Sequence, residues 1–411
     1  LGDVYKRQRY GDCHGILQKD GIMMKIEECL ENILEVINPI EEYEVVPLRN
    51  LCGRISYEDI FASSSVPPFP KSAMDGYAVR AEDTTEALVC GKTTLKVTGK
   101  LLAGDFKNIE YRRNTAVRVM TGAYIPDGFD AVVKQEDTDM GEALAVIKKQ
   151  VHSGENYCMT GEDILCGDVI LKKGVLIDSV RIGMLASAGT ASAAVVRKPK
   201  ITIISTGNEL TEPGEALLPG KIYASVGYIL AAAAEKHGIE VYGPYLCGDD
   251  ENEAKALINK ALKISDMVIT TGAVSVGERD FLPALMKDMG AEMLFSNADI
   301  QPGTPTMASF LKNKVVLSLS GNPYAAMANF EVYFWEIIAK MTGCMDMKPV
   351  TSSAVLADEY NKVNKHRRLI RAKAENGKVY LPSQIHSSSV INNLTLCNCS
   401  VSYTHLTLPT I

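Results

Sequence analysis

Nothing in this 411-residue chain offers a transition metal a home. Its ten cysteines are scattered without a C-x-x-C, and only Cys397 and Cys399 stand close together. That usage excludes a zinc site and a disulfide framework, and it fits the reduced thiols of a cytoplasmic protein. The six histidines are isolated, so any metal chemistry has to reside in a ligand. Aromatic residues make up 7%, with the single tryptophan at Trp335. A basic excess is missing as well. Lys and Arg number 43 against 50 Asp and Glu, for a net charge of −7, which excludes a general nucleic-acid binder. No apolar run approaches the ~18 residues of a membrane span. The opening "LGDVYKRQRYGDCHG" lacks the apolar stretch of a secretory leader. Neither nucleic acid nor membrane is an expected partner.

What is present is globular: 46% hydrophobic and 23% charged. The length exceeds one ordinary core and implies several domains. Residues 25–38 have helical periodicity and end at Pro39. From about 45 to 170, short apolar runs alternate with Gly, Pro and Asp, the spacing of small β-rich modules. Residues 179–190 read as a short helix closed by Gly189. At Pro199 the grammar changes. "KITIIST" is a continuous β-rich run, and strand-helix alternation follows to about Met341, closing with a long helix from Asn322. That pattern predicts a mostly parallel, doubly wound sheet with helices on both faces. After Lys348 short strands return. The first 22 residues and 401–411 share no pattern with their neighbours, and both read as foreign tails.

In an open α/β sheet, ligands bind beyond the C-terminal ends of the strands. Three loops leave strands at that predicted edge. They are "STGNEL" with Ser205, Thr206 and Gly207, "TTGAVSVGERD" with Gly272, Ser275 and Gly277, and "SLSGNPYAA" with Gly321 and Asn322. Glycine lets backbone approach a ligand, and N–H groups at a helix start attract phosphate. None of the three is a Walker A loop, since G-K-[ST] is missing. The carboxylates of Glu209, Asp266 and Asp280 beside such a cradle make sense if Mg²⁺ bridges them to phosphate. The spacing equally allows Asp266 as a turn residue between helix and strand, and Asp280 as the cap of the next helix. A further oddity is "PPFPKSAMDGYAVR" at 67–80. Three prolines fix an extended entry and Gly76 permits a turn. Asp75 is then either an ordinary Asp-Gly turn residue or a carboxylate held in place for a purpose.

The ordered set "PPFPKSAMDGYAVR", "VMTGAYIPDGFDAVVKQED", "STGNEL", "TTGAVSVGERD" and "QPGTP…SLSGNP" resembles the molybdopterin molybdenumtransferase family, the bacterial MoeA proteins, and is similar to the gephyrin E domain. The resemblance runs from about Met23 to Ser400. It implies a multidomain α/β plus β architecture. A MoaB/Mog-like doubly wound domain (196–345) is flanked by a linker domain (23–60 with 159–195), an inserted β-rich domain (61–158) and a C-terminal β-barrel-like domain (346–400). It implies insertion of molybdate into adenylylated molybdopterin with release of AMP, helped by Mg²⁺, in a homodimer that serves molybdoenzyme clients. It gives Asp75, Glu209, Asp266 and Asp280 catalytic roles, the last three also holding the metal. Asp75 would act in the partner subunit's site, with Thr121 lining the same cleft. Ser275 matches a phosphate-side residue, and Pro302, Pro305, Gly321 and Asn322 fall in substrate-binding motifs.

The chain also departs from the family pattern. "IYDSN" is "IYASV" here, leaving Ala224 and Val226. "GGVSVG" carries Ala273, "KPGKP" is "QPGTP" with Gln301 and Thr304, and "PGNPVS" is "SGNPYA" with Ala325. In the family those two lysines and that serine help receive the molybdate oxyanion. The substitutions set a second expectation beside the first: a catalytically weakened paralogue that binds pterin nucleotide or finished cofactor. His366, Arg367 and Arg368 are candidate replacement cations.

Overall fold

The computed structural model describes residues 23–274, 281–360, 366–382 and 387–403. The chain forms two compact units, one from Glu41–Arg197 and one from the segments on either side of it.

In the 41–197 unit, the short apolar runs pair into a five-stranded sheet. Its strands are β1 (Gly76–Val79), β2 (Thr93–Leu101), β3 (Thr115–Val119), β4 (Ala131–Lys134) and β5 (Leu144–Ile147), in the order β4-β1-β3-β2-β5. Side chains alternate across a strand, so Tyr77 and Val79 bury on one face with Leu95 and Val133. Ala78 buries on the other with Val117, Val119 and Val132. Gly76 permits the pairing, because a Cβ there would stand 1.9 Å from the Val133 carbonyl oxygen. Outside this sheet, Tyr43–Pro47 pairs antiparallel with Ser192–Val196, and Ile60–Phe61 with Val169–Leu171.

The other unit is the predicted doubly wound α/β layer. Its six strands are β6 (Lys200–Thr206), β7 (Glu240–Cys247), β8 (Met267–Thr271), β9 (Glu292–Ser296), β10 (Met307–Leu311) and β11 (Lys314–Leu319), ordered β7-β6-β8-β11-β10-β9. The first four in this order are parallel, and β8 is buried along its whole length, as a strand covered on both faces must be. Helices α1 (Ile26–Val36), α2 (Val226–Glu235), α3 (Glu251–Ile264), α4 (Leu282–Asp288) and α5 (Pro323–Thr342) belong to the same unit. From β6 the chain goes through α2 to β7, then through α3 to β8 on the far side of β6. That reversal makes the β6/β8 border the topological switch point.

Three details add to the sequence reading. Strand β10, the hairpin partner of β11, was not foreseen. Its two-residue turn is Lys312-Asn313, both at positive φ (52° and 63°), the geometry of a type I′ hairpin without its usual glycine signal. The 23–60 segment does not act as one piece. Helix α1 buries Ile26, Cys29 and Ile33, Met24 N donates to Asn297 O at 3.1 Å and Asn32 Nδ2 to Leu294 O at 3.0 Å. Hydrophobic burial therefore ties α1 to the α/β unit. Finally, strand β13 (Cys399–Tyr403) runs through the boundary drawn at 400/401. It pairs antiparallel with β12 (Arg367–Glu375), and a backbone ladder asks only for extended residues.

That last pairing belongs to a small mixed sheet of five strands, in which Ile300–Gln301 also joins β12, in parallel at Arg367 and Arg368. Among the described residues, no helix is long and apolar enough to cross a membrane.

Candidate functional site

At the C-terminal ends of β6, β8 and β11 lies a cavity of 630 Å³. All three predicted loops reach it, represented by Ser205, Thr206 and Gly207, by Gly272 and Ala273, and by Gly321 and Asn322. Buried hydroxyls stitch the strand ends together beneath it. Thr206 Oγ1 donates to Thr271 O at 3.1 Å, Thr271 Oγ1 to Ser205 Oγ at 3.0 Å, and Thr270 Oγ1 to Ser318 Oγ at 2.8 Å. This network fixes the loops relative to one another without placing a charge in the floor. Gly272 has φ +90°, and a Cβ there would lie 2.3 Å from the Thr206 carbonyl oxygen, so only glycine fits. Helix α5 begins at the cavity, with Pro323 in its first turn after the cap residue Asn322. Pro323 has no N–H and Tyr324 N donates to Ser388 O at 2.9 Å, so what the helix start offers the cavity is mainly the positive end of its dipole.

The carboxylates divide differently from the expectation. Glu209 lines the cavity, its head folded against Gly207, where a Cβ would approach it to 2.5 Å. Asp266 does not. It stands just before β8, at the end of the strand opposite the cavity, where its carboxylate accepts from Lys200 N at 2.8 Å and its own N–H donates to Lys200 O at 2.7 Å. The turn reading of Asp266 is the correct one, since a five-residue strand separates it from the cavity by roughly 15 Å. In its place the structure brings Asp249. Asp250 alone performs the capping, accepting from Asn252 N at 2.8 Å and Glu253 N at 3.0 Å. Asp249 is left beside the loop, its N–H held by Asn208 Oδ1 at 3.0 Å. Two adjacent acids at the end of an edge strand, only one of them needed as a cap, were the signal. Ser275, Gly277 and Asp280 lie outside the described residues.

Ala224 and Val226 line the same cavity and bring no charge to it. Ala273 stands at φ +52°, a left-handed conformation that costs a residue with a Cβ roughly 1–2 kcal/mol.

A second cavity, of 410 Å³, adjoins the 301–305 segment and shares Pro305 with the first. Gln301, Pro302, Thr304 and Tyr324 line it, together with Arg368 and Arg371 of β12. Arg371 is 2% exposed. Its guanidinium lies 4.3 Å from the Tyr324 ring centre, donating through Nη1 to Val390 O at 2.6 Å and through Nη2 to Ser387 O at 2.5 Å. Its Nε has no partner among the described residues. Burial alone pulls the Arg371 pKa down, and burial pushes the Tyr324 hydroxyl up to about 12. A dry cation facing a cavity without a carboxylate partner is costly unless an anion compensates it. Of the candidate replacement cations, Arg368 is at this cavity. Arg367 is not, being paired with Glu27 and Ser402, and His366 Nδ1 meets Asp299 Oδ1 at 2.7 Å. Arg371 was missed. An arginine inside the apolar run "LIRA" was its signal.

In the 41–197 unit, Asp75 sits where β1 begins, and both hydrogen bonds to its carboxylate come from Thr121. Thr121 N and Thr121 Oγ1 each reach Asp75 Oδ1 at 2.7 Å. These bonds, the backbone one foremost, lower the Asp75 pKa. The two residues singled out from separate motifs thus form one pair, with Oδ1 engaged and the head exposed to solvent.

Comparison with known proteins follows this geometry. A profile of the MoeA N-terminal region (domains I and II) matches residues 24–189, and one of a probable molybdopterin binding domain matches 202–340. The chain is 36% identical over 382 residues to a molybdopterin molybdenumtransferase of Staphylococcus epidermidis, covering 92% of this chain and 91% of that protein. It is 36% identical over 359 residues to one of Staphylococcus aureus, covering 87% and 86%. Among solved structures it is similar to a molybdopterin biosynthesis MoeA protein of Pyrococcus horikoshii. The TM-score is 0.80 at 31% identity, over 93% of this chain and 96% of that one.

Proposed function

The chain belongs to the MoeA family of molybdopterin molybdenumtransferases, and from that premise we propose that it inserts molybdate into adenylylated molybdopterin with release of AMP. As a transferase of this family it acts in molybdenum cofactor biosynthesis. The observation that carries the reading is the pairing of two cavities across Pro305, one walled by glycine loops and hydroxyls, the other by a buried arginine.

The larger cavity takes the pyrophosphate-linked nucleotide. Gly207, Gly272 and Gly321 let backbone approach the phosphates, and the positive end of the α5 dipole faces them. Glu209 and Asp249 fit Mg²⁺, which keeps most of its water and is held by one or two carboxylates plus substrate phosphates. They would hold the ion against the phosphates, where it would supply charge neutralisation. Asp280 remains a proposed third acid. The smaller cavity takes molybdate. Arg371 and Arg368 supply the positive charge that lysines at 301 and 304 supply elsewhere in the family, while Thr304 and Gln301 contribute neutral groups. This argues against the weakened-paralogue reading, since the charge is relocated.

The active form is proposed to be a cytoplasmic homodimer, with Asp75 and Thr121 of one subunit serving the other's site and finished cofactor passing to molybdoenzyme clients. Mixing an Asp75→Ala chain with an Asp249→Ala chain then restores part of the activity each lacks. The central test is direct. The purified protein with adenylylated molybdopterin, Mg²⁺ and molybdate releases AMP in step with molybdenum incorporation. Nucleotide binding without molybdate-dependent AMP release rejects the proposal in favour of a carrier.

A further inference from the structure

The 301–305 segment forms one wall of the smaller cavity and touches the larger one, yet it carries no charged side chain. What holds it is a residue outside both cavities. Asn329, two turns into α5, is fully buried. Its Nδ2 donates to Pro302 O at 3.0 Å and to Ala325 O at 2.8 Å, and its Oδ1 has no partner among the described residues. Gly303 packs onto that amide at φ +95°, and a Cβ there would stand 2.0 Å from Nδ2. The segment is also folded on itself. Thr304 Oγ1 donates to Ile300 O at 2.7 Å and Thr306 Oγ1 to Gly303 O at 2.8 Å, while Ala298 N and Thr306 N both donate to Thr304 O. Ile300–Gln301 is laddered to β12, so β12 grips the segment at one end and Asn329 grips it in the middle.

We propose that Asn329 is a positioning residue for oxyanion capture, holding the 301–305 wall at the distance from Arg368 and Arg371 that a small tetrahedral oxyanion spans. The physical need follows from the side chains in the wall. A lysine reaches an anion on a flexible four-carbon stem and tolerates an imprecise backbone. Thr304 spends its hydroxyl proton on Ile300 O, so the wall's side-chain donor is the shorter Gln301 amide, and a displacement of about 1 Å is enough to lose such a contact. A wall without lysines therefore depends on its backbone being pinned, and a buried amide that leaves its own acceptor unsatisfied is spent on that pin. The inference rests on the reading of the smaller cavity as the molybdate site.

Two substitutions approach the same contact from opposite sides. Asn329→Leu keeps the volume and removes the donor, whereas Gly303→Ala pushes a methyl onto the amide. In the molybdate-dependent AMP-release assay, each raises the half-saturating molybdate concentration about tenfold, the worth of one buried hydrogen bond. Affinity for adenylylated molybdopterin stays unchanged. Amide exchange at Ala298 and Thr306 speeds up, while exchange along β8 does not. A role confined to general stability instead weakens both substrates together or speeds exchange in β8, and either result overturns the proposal. So does unchanged molybdate dependence in either folded variant. Arg371→Met in the same assay separates the two readings. If it leaves molybdate dependence untouched, the assignment of the cavity fails first. If it shifts the dependence and the Asn329 and Gly303 variants do not, only the positioning role fails.

Discussion

The two cavities meet at Pro305 but, as proposed anion sites, they are built in opposite ways. The larger one uses backbone. Its glycines, its hydroxyl stitches and the start of α5 present many weak, fixed dipoles at the switch point of a parallel sheet, and its floor holds no charge. The smaller one uses a single buried guanidinium, delivered by a strand of a different sheet, against a neutral wall. Dispersed dipoles tolerate the loss of one donor and fail when the backbone cannot approach. A single dry cation fails all at once when it is removed, and the neutral wall opposite it serves only while it is held in place.

The largest effect is expected from Arg371→Met. Removing charge-assisted hydrogen bonds worth ~1.5–3 kcal/mol each raises the molybdate requirement by roughly 10- to 150-fold. Nucleotide binding stays unchanged by titration calorimetry, and folding stability falls little, because an apolar side chain replaces a costly buried charge. Nucleotide affinity falling in parallel means that the cavities are not separate sites.

Gly272→Ala is the converse. The added methyl meets the Thr206 carbonyl at 2.3 Å and the residue is held at φ +90°. It costs at least ~1–2 kcal/mol of stability and abolishes nucleotide binding, while Arg371 still binds the free oxyanion. Equilibrium unfolding and nucleotide titration read the two parts separately.

A pair of isosteric changes divides the carboxylates. Asp249→Asn slows AMP release by about tenfold or more at limiting Mg²⁺, whereas Asp266→Asn leaves the rate unchanged. Equal losses in the two variants return Asp266 to the site. The smallest effect is at Ala273, whose φ of +52° suits glycine. Ala273→Gly raises stability by roughly 0.5–1 kcal/mol, strain relief being partly offset by the greater freedom of glycine in the unfolded chain. A lower midpoint in urea unfolding contradicts this.

The contrast between the cavities is also a contrast in what can be read from residues in a row. Loops that end strands at a switch point announce themselves through local chemistry: a β-rich run, then Gly with Ser or Thr, then a helix. Thr206, Gly272 and Asn322 line the larger cavity for that reason. Asp75 and Thr121 came from distant motifs, and each marked a turn whose backbone demands are local. Asp266 was misplaced because nearness in sequence to a site loop says nothing about which end of the strand a residue occupies. Its neighbour Met267 starts β8, and the site lies where β8 stops.

Local sequence by itself determined the parallel α/β layer, the glycines that only φ > 0 or close approach can explain, and the position of the loops that line the larger cavity. All of these follow from backbone preferences and side-chain periodicity within one element and its next turn. Only the tertiary structure decided which acid faces the cavity, which arginine of "RRLIR" is buried, and that Asn329 grips Pro302 from another element. Those depend on desolvation and on contacts between segments brought together by folding. Asn329 and Pro302 are joined by a hydrogen bond across 27 positions of the chain, and no pattern within either segment encodes the other.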